Sequence, residues 1–117
     1  PPAHLGGRAS KVLRIGALVF RHEPTGEIGE VSGHLHPAAK IIGRGRSVRR
    51  RCFASDGARL VMPAMGAFTG GLNVLDEAFA PIFPEGAMAF ALGQDWVFMV
   101  AAKSLVADMP RGARWKF

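Results

Sequence analysis

The stretch "AAKIIGRGRSVRRRCFASDGARLVM", residues 38–62, contains extended apolar and basic runs joined by two short turns. Ala38 to Ile42 and Ser47 to Ala54 flank the turn sequence "GRGR", and Arg59 to Met62 follows "SDG". The Asp56-Gly57 pair is a strong hairpin signal, because Asp-Gly tolerates the positive φ angles that two-residue hairpin turns require. Residues 38–62 therefore predict three consecutive strands.

The remainder of the chain repeats this pattern of short apolar runs separated by Gly, Pro and Asp. Lys11 to Phe20 predicts two strand pieces that meet at Gly16, and Glu30 to Ser32 predicts a short strand. Ala87 to Leu92 and Trp96 to Ala102, joined by "GQD", predict a final hairpin. Short strands bounded by turn residues are typical of a mostly β domain.

One segment has helical spacing. Val74, Ala78 and Ile82 recur every four residues within Asn73 to Phe83, and acidic residues lie near its start. Pro81 lacks the N–H that a helix interior needs, so it ends or kinks any helix there. This segment predicts one short helix.

Composition limits the class of protein. The chain has 117 residues, of which 49% are apolar, and this predicts one compact domain with a single core. Its net charge of +6 favours an anionic partner, and both nucleic acid and phosphate esters qualify. The lone Cys52 fits a reducing compartment, and no apolar run is long enough for a membrane span. We expect a soluble, cytoplasmic chain whose upstream sequence is missing, because it begins at Pro1 rather than at methionine.

Two histidines lie one residue apart in "SGHLHP", residues 32–37. In extended chain, residues i and i+2 point to the same side, so His34 and His36 could present imidazole nitrogens to one small volume. His22 ends another predicted strand and could supply a third nitrogen, and neutral imidazole binds zinc, manganese, iron and nickel. Gly33 would permit a close turn, and Pro37 would stiffen its exit. The alternative is that the pair is a solvated turn feature, since His-x-His alone is a weak signal.

Longer matches add to this signal. "RHEP" at 21–24 and "SGHLHP" at 32–37 resemble the last two metal-binding motifs of the calcineurin-like metallophosphoesterases. The run "GHLHPAAKIIGRGRSVRRRCFASDGARLVMPAMGAFTGGLNVLDEAF" resembles one bacterial branch, the ligase-associated DNA damage response endonucleases. The resemblance implies an α+β, mostly β fold that forms the C-terminal half of a four-layer αββα sandwich. Residues 1–102 would belong to this domain, and 103–117 would form a basic C-terminal tail.

The resemblance also implies a set of ligands. The family has five metal-binding blocks, and Asp-x-His, Gly-Asp-x-x-Asp and Gly-Asn-His-Asp have no match in this chain. By the family pattern His22 and His34 would bind one ion and His36 the other, with His34 also catalytic. The complete family site holds two divalent ions, Mn or else Zn, Fe or Mg. We expect at most one ion here, and no hydrolysis by this chain alone, because the bridging aspartate is among the absent residues.

The opening "PPAHLGGR" resembles the segment that follows the third block, and His4 in it is expected to be a turn residue. The family name further implies association with a DNA ligase or helicase. A half-sandwich would also expose a sheet face, lined by residues such as Val12, Leu18, Phe20 and Val31, and this favours self-association.

The sequence "GRGRSVRRRCF" carries a second candidate site, which consists of Arg44, Arg46, Arg49, Arg50 and Arg51. These arginines either contact a phosphate backbone or lie on a solvated strand face, and the absence of interleaved acidic residues favours anion binding slightly. Cys52 is interpreted as a small buried apolar residue, although neighbouring arginines could lower its pKa. "GAFTGGLN", residues 66–73, lacks the spacing and terminal lysine of a P-loop and is interpreted as a tight connection.

Two functions of different class therefore remain. The first is a metal-dependent phosphoesterase, similar to a DNA damage response endonuclease, that hydrolyses phosphodiester or phosphomonoester bonds. The second is a small basic β-rich module that binds nucleic acid or a protein without catalysis.

Overall fold

The computed structural model describes residues 12–66 and 71–108. Within these ranges nine strands form an open mixed sheet, and no α-helix is present. The strands are β1 (Val12–Ile15), β2 (Leu18–Arg21), β3 (Glu30–Ser32), β4 (Pro37–Gly43), β5 (Arg46–Ser55), β6 (Leu60–Val61), β7 (Leu72–Asn73), β8 (Met88–Leu92) and β9 (Val97–Val100). Two single-turn 3-10 helices, Glu77–Phe79 and Ala102–Ser104, complete the elements.

Strand β5 is the centre of the sheet. Its first six residues pair with β4, and its last four pair with β8, while Ala54 and Ser55 also pair with β6. The Arg44-Gly45 turn, with φ angles of 53° and 77°, joins β4 to β5. At the other end the Asp56 carboxylate accepts hydrogen bonds from the Ala58 and Arg59 N–H groups, so the chain reverses at Gly57. The three strands predicted for residues 38–62 are confirmed.

The edge of the sheet that carries β1 to β3 contains parallel pairs. Strands β1 and β2 form an antiparallel hairpin around Gly16, but β2 pairs in parallel with β3, and β3 pairs in parallel with β6. Gly29, with a φ of 84°, permits the close approach of this connection, because a Cβ there would overlap the carbonyl oxygen of Ala17. Strands β2 and β3 consequently run in the same direction and end at the same edge.

The helix predicted for residues 73–83 is wrong. Asn73 belongs to β7, and only Glu77–Phe79 forms a single 3-10 turn. The Asn73 side-chain Oδ1 accepts the Leu75 N–H, and the Asp76 carboxylate accepts the Ala78 N–H. These side-chain bonds favour local turns over a helix, as is typical of Asn and Asp. The fold is therefore mostly β with almost no helix.

The apolar residues of this segment nevertheless build the core. Ala39, Cys52, Ala54, Ala89 and Ala91 are all fully buried on one face of the sheet. Their small side chains leave room for larger residues to approach the strands closely, and the cluster also includes Val61, Val74, Phe79, Ile82, Phe83 and Val100. The core therefore lies between this face of the sheet and the turns that follow β7.

The opposite face of the sheet is apolar but uncovered by the described residues. Paired residues share a face, and the register aligns one row across six strands: Leu13, Phe20, Val31, Leu60, Ser55 and Met88. The row continues through Phe90 to Met99. Leu13, Met88 and Met99 are 53%, 42% and 61% exposed. Val12, which was also expected on this face, pairs with Arg21 at the start of β1 and lines one pocket together with Leu13, Phe20 and Val31.

The segment after β9 packs against β4 and β5. Leu105 forms a bridge with Ile41, the Val106 N–H donates to the Lys40 carbonyl, and Asp108 forms an ion pair with Arg49. Part of the predicted basic tail, residues 103–108, is thus attached to the sheet, whereas 109–117 lie outside the described residues. The predicted features of residues 1–11 and the centre of "GAFTGGLN" also lie outside them. None of the helices in the described ranges has the length and apolar character of a membrane span.

The uncovered face generates a prediction for solution behaviour. We expect the isolated 117-residue chain to self-associate, because soluble monomers rarely expose a continuous apolar sheet face. Replacing Leu13 and Met99 with lysine should shift the chain toward monomer, whereas lysine at the exposed turn residue Glu85 should not. Light scattering measures the mass. A monomeric wild-type chain with one sharp, cooperative thermal transition would show that this face needs no cover.

Candidate metal and phosphate site

His22 and His34, two of the predicted metal ligands, lie side by side in the structure. His22 directly follows β2, and His34 lies two residues after β3. The His34 Nδ1 and His22 Nε2 atoms are 3.2 Å apart, and the rings meet edge to face. The Gly33 N–H donates to the His22 carbonyl oxygen at 3.0 Å, which extends the parallel pairing of β2 and β3 by one step. The two imidazoles meet because parallel strands end at the same edge.

A buried carboxylate fixes the loop that follows His22. Glu30 is only 1% exposed and accepts hydrogen bonds from Arg21 Nη1 at 2.7 Å and Thr25 Oγ1 at 2.6 Å. The backbone N–H groups of Thr25 and Gly26 donate to its other oxygen, at 2.8 Å and 3.0 Å. Burial raises the pKa of Glu30, but the hydrogen bonds from Thr25, Gly26 and Arg21 outweigh burial and hold it below the ordinary value. Glu30 therefore stabilises the chain on both sides of His22.

The structural role of Glu30 was not predicted, because Glu30 to Ser32 was treated only as a strand. One signal was present. A glutamate that begins a short apolar strand, nine residues after an arginine, needs a cationic partner if that strand is buried. The partner could not be identified without the parallel register, which places Arg21 beside Ser32 and so within reach of Glu30.

The backbone at His34 and His36 differs from the extended chain assumed for "SGHLHP". Both residues have left-handed φ angles, 68° and 50°, a conformation that costs most residues about 1 kcal/mol or more. Gly33 does not have a positive φ, and a Cβ there would make only an ordinary contact. The turn is therefore made by the histidines themselves, and the expectation that extended geometry aligns their side chains is wrong.

His36 has a different setting from the other two histidines. It is exposed and directly precedes β4, and its carbonyl oxygen accepts the Leu72 N–H at the start of β7. Residues 12–66 and 71–108 contain no group of three His, Cys, Asp or Glu side chains that could hold one metal ion. The described residues thus do not form a His₃ arrangement of His22, His34 and His36.

A pocket of about 840 Å³ lies beside His22 on the uncovered face. Its lining includes Phe20 of β2, Val31 of β3 and Met62 directly after β6, together with Arg21 and Glu23 next to the histidine. The imidazole pair therefore lies where a polar strand edge meets an apolar depression.

The five arginines of the second candidate site divide into two groups. Arg49 pairs with Asp108 at 2.6 Å and donates to the Gly71 carbonyl oxygen, and Arg51 donates to the Ala64 carbonyl oxygen. These two attach the flanking segments to β5. Arg44, Arg46 and Arg50 are exposed. The structure thus leaves these three guanidinium groups open to solvent.

Cys52 is a buried apolar residue, as interpreted. Burial raises the pKa of its thiol to about 12, although the charge of Arg49 acts in the opposite direction. The thiol is consequently protonated at neutral pH, and the suggested activation by neighbouring arginines does not occur.

Comparisons with known proteins give matches among the solved structures. No family model matches the chain, and no curated protein matches it. The crystal structure of Pseudomonas putida nuclease MPE has a similar fold, with a TM-score of 0.60 and 24% sequence identity. The match covers 86% of this chain and 46% of that chain, so this chain spans slightly less than half of the nuclease's length. The similarity shows that the two proteins share a fold over this region.

The ion pair and hydrogen bonds of Glu30 predict a dependence of stability on pH. Its pKa is depressed in the folded state, so its stabilisation is complete above the unfolded value of about 4.3 and is lost as pH falls through the folded value. We expect Glu30→Gln to lower the free energy of unfolding by about 2 kcal/mol at neutral pH, with a smaller difference in acid. Urea unfolding at several pH values measures both.

Glu27→Gln is the matched control for this experiment. Glu27 also pairs with Arg21, but its side chain is 38% exposed, so its removal should cost less than about 1 kcal/mol. Equal losses for the two variants, or a Glu30→Gln loss that does not shrink in acid, would contradict the assignment.

The left-handed backbone at His34 and His36 predicts an unusual order of stability. His34→Gly should be more stable than His34→Ala by about 1 kcal/mol, because both lose the imidazole but only alanine keeps a Cβ at positive φ. The same order should hold at His36. At Gly33, which lacks a positive φ, Gly33→Ala should change stability little. Thermal unfolding of the five variants tests this, and equal stability of each Ala and Gly pair would show that the strain is absent.

Proposed function

We propose that this chain is part of a metal-dependent phosphoesterase that cleaves phosphodiester or phosphomonoester bonds, with nucleic acid as its substrate. The observation that supports this most directly is the 3.2 Å separation of His34 Nδ1 and His22 Nε2 at neighbouring strand ends. The fold shared with a nuclease and the exposed arginines of β5 support the same class of substrate. The sequence resemblance to the DNA damage response endonucleases supports the more specific assignment as an endonuclease.

The imidazole pair fits a divalent ion. Two nitrogens 3.2 Å apart are within reach of a common ion that lies about 2.1 Å from each. In this proposal His22 and His34 hold one ion and His36 contributes to a second, which agrees with the separate setting of His36. A pair of such ions, when bound, stabilises charge on phosphate oxygens and lowers the pKa of a bound water.

The chain's own residues have distinct roles in this proposal. His22 and His34 are donors whose positions depend on Glu30 and on the left-handed turn, so the site is organised before it binds. Arg44, Arg46 and Arg50 attract and orient the polyanionic substrate through long-range charge. The described residues supply no carboxylate to the imidazole pair, and neutral imidazoles cannot offset two divalent ions.

We therefore propose that carboxylate ligands come from residues outside this chain. The same residues would cover the apolar face of the sheet and complete a four-layer αββα sandwich. The 46% coverage of the nuclease supports a partner of comparable size. A cytoplasmic location and association with a DNA ligase or helicase are the remaining parts of the proposal, and a single free cysteine fits a reducing compartment.

A basic nucleic-acid binding module without catalysis is the second candidate function. The observation that favours it is the exposure of three arginines on β5, which needs no metal ion to be useful. Metal binding separates the two candidate functions, because the histidines have no role in a binding module without catalysis.

The proposal predicts metal binding without turnover. The 117-residue chain should bind Zn²⁺ by isothermal titration calorimetry, and His22→Ala or His34→Ala should weaken binding at least about tenfold by removing a ligand. Cys52→Ala is the control and should bind as the wild type does. With Mn²⁺ added, the chain should not hydrolyse bis-p-nitrophenyl phosphate above the metal-only background.

The complete protein should hydrolyse this diester, and His34→Ala or His36→Ala should abolish its turnover. Wild-type affinity for Zn²⁺ in the His22→Ala and His34→Ala variants would refute the metal site. Chelator-sensitive hydrolysis by the 117-residue chain alone would refute the need for further carboxylates.

A further inference from the structure

A second surface of the molecule combines an arginine with an exposed aromatic ring. Strands β5 and β8 pair Cys52 with Ala91, and the same register continued by two residues brings Arg50 beside Gly93. Arg50 and Gly93 line one pocket of about 310 Å³, together with Arg49, Arg51 and Leu92. This pocket lies at the point where β8 ends and the turn to β9 begins.

The indole of Trp96 lies across Gly93. A Cβ at position 93 would come within 3.1 Å of the Trp96 Cδ1 and Nε1 atoms, so glycine lets the ring approach the backbone this closely. The Gly93 N–H donates to the Trp96 carbonyl oxygen at 2.7 Å, and the Phe98 ring supports the indole at a centroid distance of 5.6 Å. Trp96 is nevertheless 70% exposed. The ring therefore lies against Gly93 and Phe98 while much of its surface is open.

The pleat of the strands places this ring and the open arginines on the same side. Arg46 and Arg50 are separated by four residues on β5, and they alternate with Arg49 and Arg51, which contact flanking segments. Trp96 and Phe98 likewise alternate with Val97 and Met99, which belong to the uncovered apolar face. A partner on the apolar face would thus leave Trp96 and Arg50 accessible.

The turn before β5 adds a third positive charge. Arg44 occupies the first position of the hairpin turn with a φ of 53°, where Asn, Asp or Gly is the usual residue. One acidic residue, Asp95, precedes Trp96 in the β8–β9 turn. Arg50 lies at the Gly93 turn, and Arg46 and Arg44 continue the exposed positive charge along β5, so this side of the sheet favours an anion.

We propose that Trp96, Gly93 and Arg50 form a binding subsite for one unpaired nucleotide. The base stacks on the open face of the indole, and the guanidinium group of Arg50 contacts the adjacent phosphate, with Arg46 on the following phosphate. Stacking requires a base whose face is not covered by its neighbours, so the ligand is a single strand or a splayed nucleotide. The inference rests on the nucleic-acid substrate of the proposed function, but it requires no metal ion.

Tryptophan fluorescence tests this subsite directly. Trp115→Phe leaves Trp96 as the single tryptophan of the chain. In this background and without metal, an oligothymidylate of about 12 nucleotides should quench the fluorescence on binding, because the base contacts the indole. A duplex of the same length should quench it much less, since its bases are stacked on one another.

Affinity measurements with a fluorescently labelled oligothymidylate of the same length give a second readout. Trp96→Ala should weaken binding by roughly 5- to 150-fold, the range expected when one base–aromatic stack is lost. Trp96→Phe should recover part of the loss. Met99→Ala, on the same hairpin but on the other face, is the matched control and should bind as the wild type does. Circular dichroism verifies that each variant is folded.

The outcomes separate this inference from the proposed function. If Trp96→Ala binds as tightly as wild type while Arg50→Ala weakens binding and reduces its salt dependence, the stacking subsite is refuted and the phosphate surface stands. If the chain binds no oligonucleotide at low salt, both the proposed phosphate surface and the stacking subsite are refuted. The proposed Zn²⁺ binding by His22 and His34 is not affected by that result. If the duplex quenches the fluorescence as strongly as the single strand does, stacking is also refuted.

Discussion

The register of β5 is the constraint on which most of this structure depends. One ten-residue strand pairs with β4 over its first part and with β6 and β8 over its last part, so a shift by one residue would exchange the faces of every side chain on it. In the observed register Cys52 and Ala54 face the core, while Phe53 faces the uncovered side. The same register decides that Arg50 lies beside Gly93 and that Arg49 reaches Asp108. The core, the open face and the arginine surface are therefore three consequences of a single alignment.

The histidine pair depends on a second alignment, that of two parallel strands. Parallel strands require a connection longer than a hairpin turn, and here residues 22–29 provide it. The connection is held by hydrogen bonds that converge on the buried Glu30 carboxylate and by the close contact between Gly29 and Ala17. His34 then enters the site in a left-handed conformation that a glycine would adopt at lower cost. Backbone strain of this kind concentrates at functional sites, so the left-handed His34 supports the proposed role of its side chain.

The two faces of the sheet have opposite roles. One face is closed by the turns after β7, which pack Phe79, Ile82 and Phe83 onto alanines of the central strands. The other face carries large apolar side chains and has the pocket beside His22 at its edge. Because that pocket and the imidazole pair adjoin, any segment that covers the apolar face also approaches the histidines. In the proposed function, the residues that cover this face would also complete the metal site, whereas the Trp96 surface lies on the other side.

The sequence by itself determined the local elements. Asp56-Gly57, Gly16 and the alternating apolar runs predicted the hairpins and most strand bounds, because turn chemistry and side-chain period act over a few residues. The spacing of Val74, Ala78 and Ile82 predicted a helix that does not form, since Asn73 and Asp76 bond to the backbone and β7 draws Asn73 into the sheet. His22 and His34 were identified from motif resemblance, but their approach to 3.2 Å required the parallel pairing. Tertiary structure alone decided that Glu30 is a buried anchor, that His36 lies apart, and which arginines remain exposed. Those features depend on which distant strands become neighbours, and that choice is made by burial and register over the whole chain.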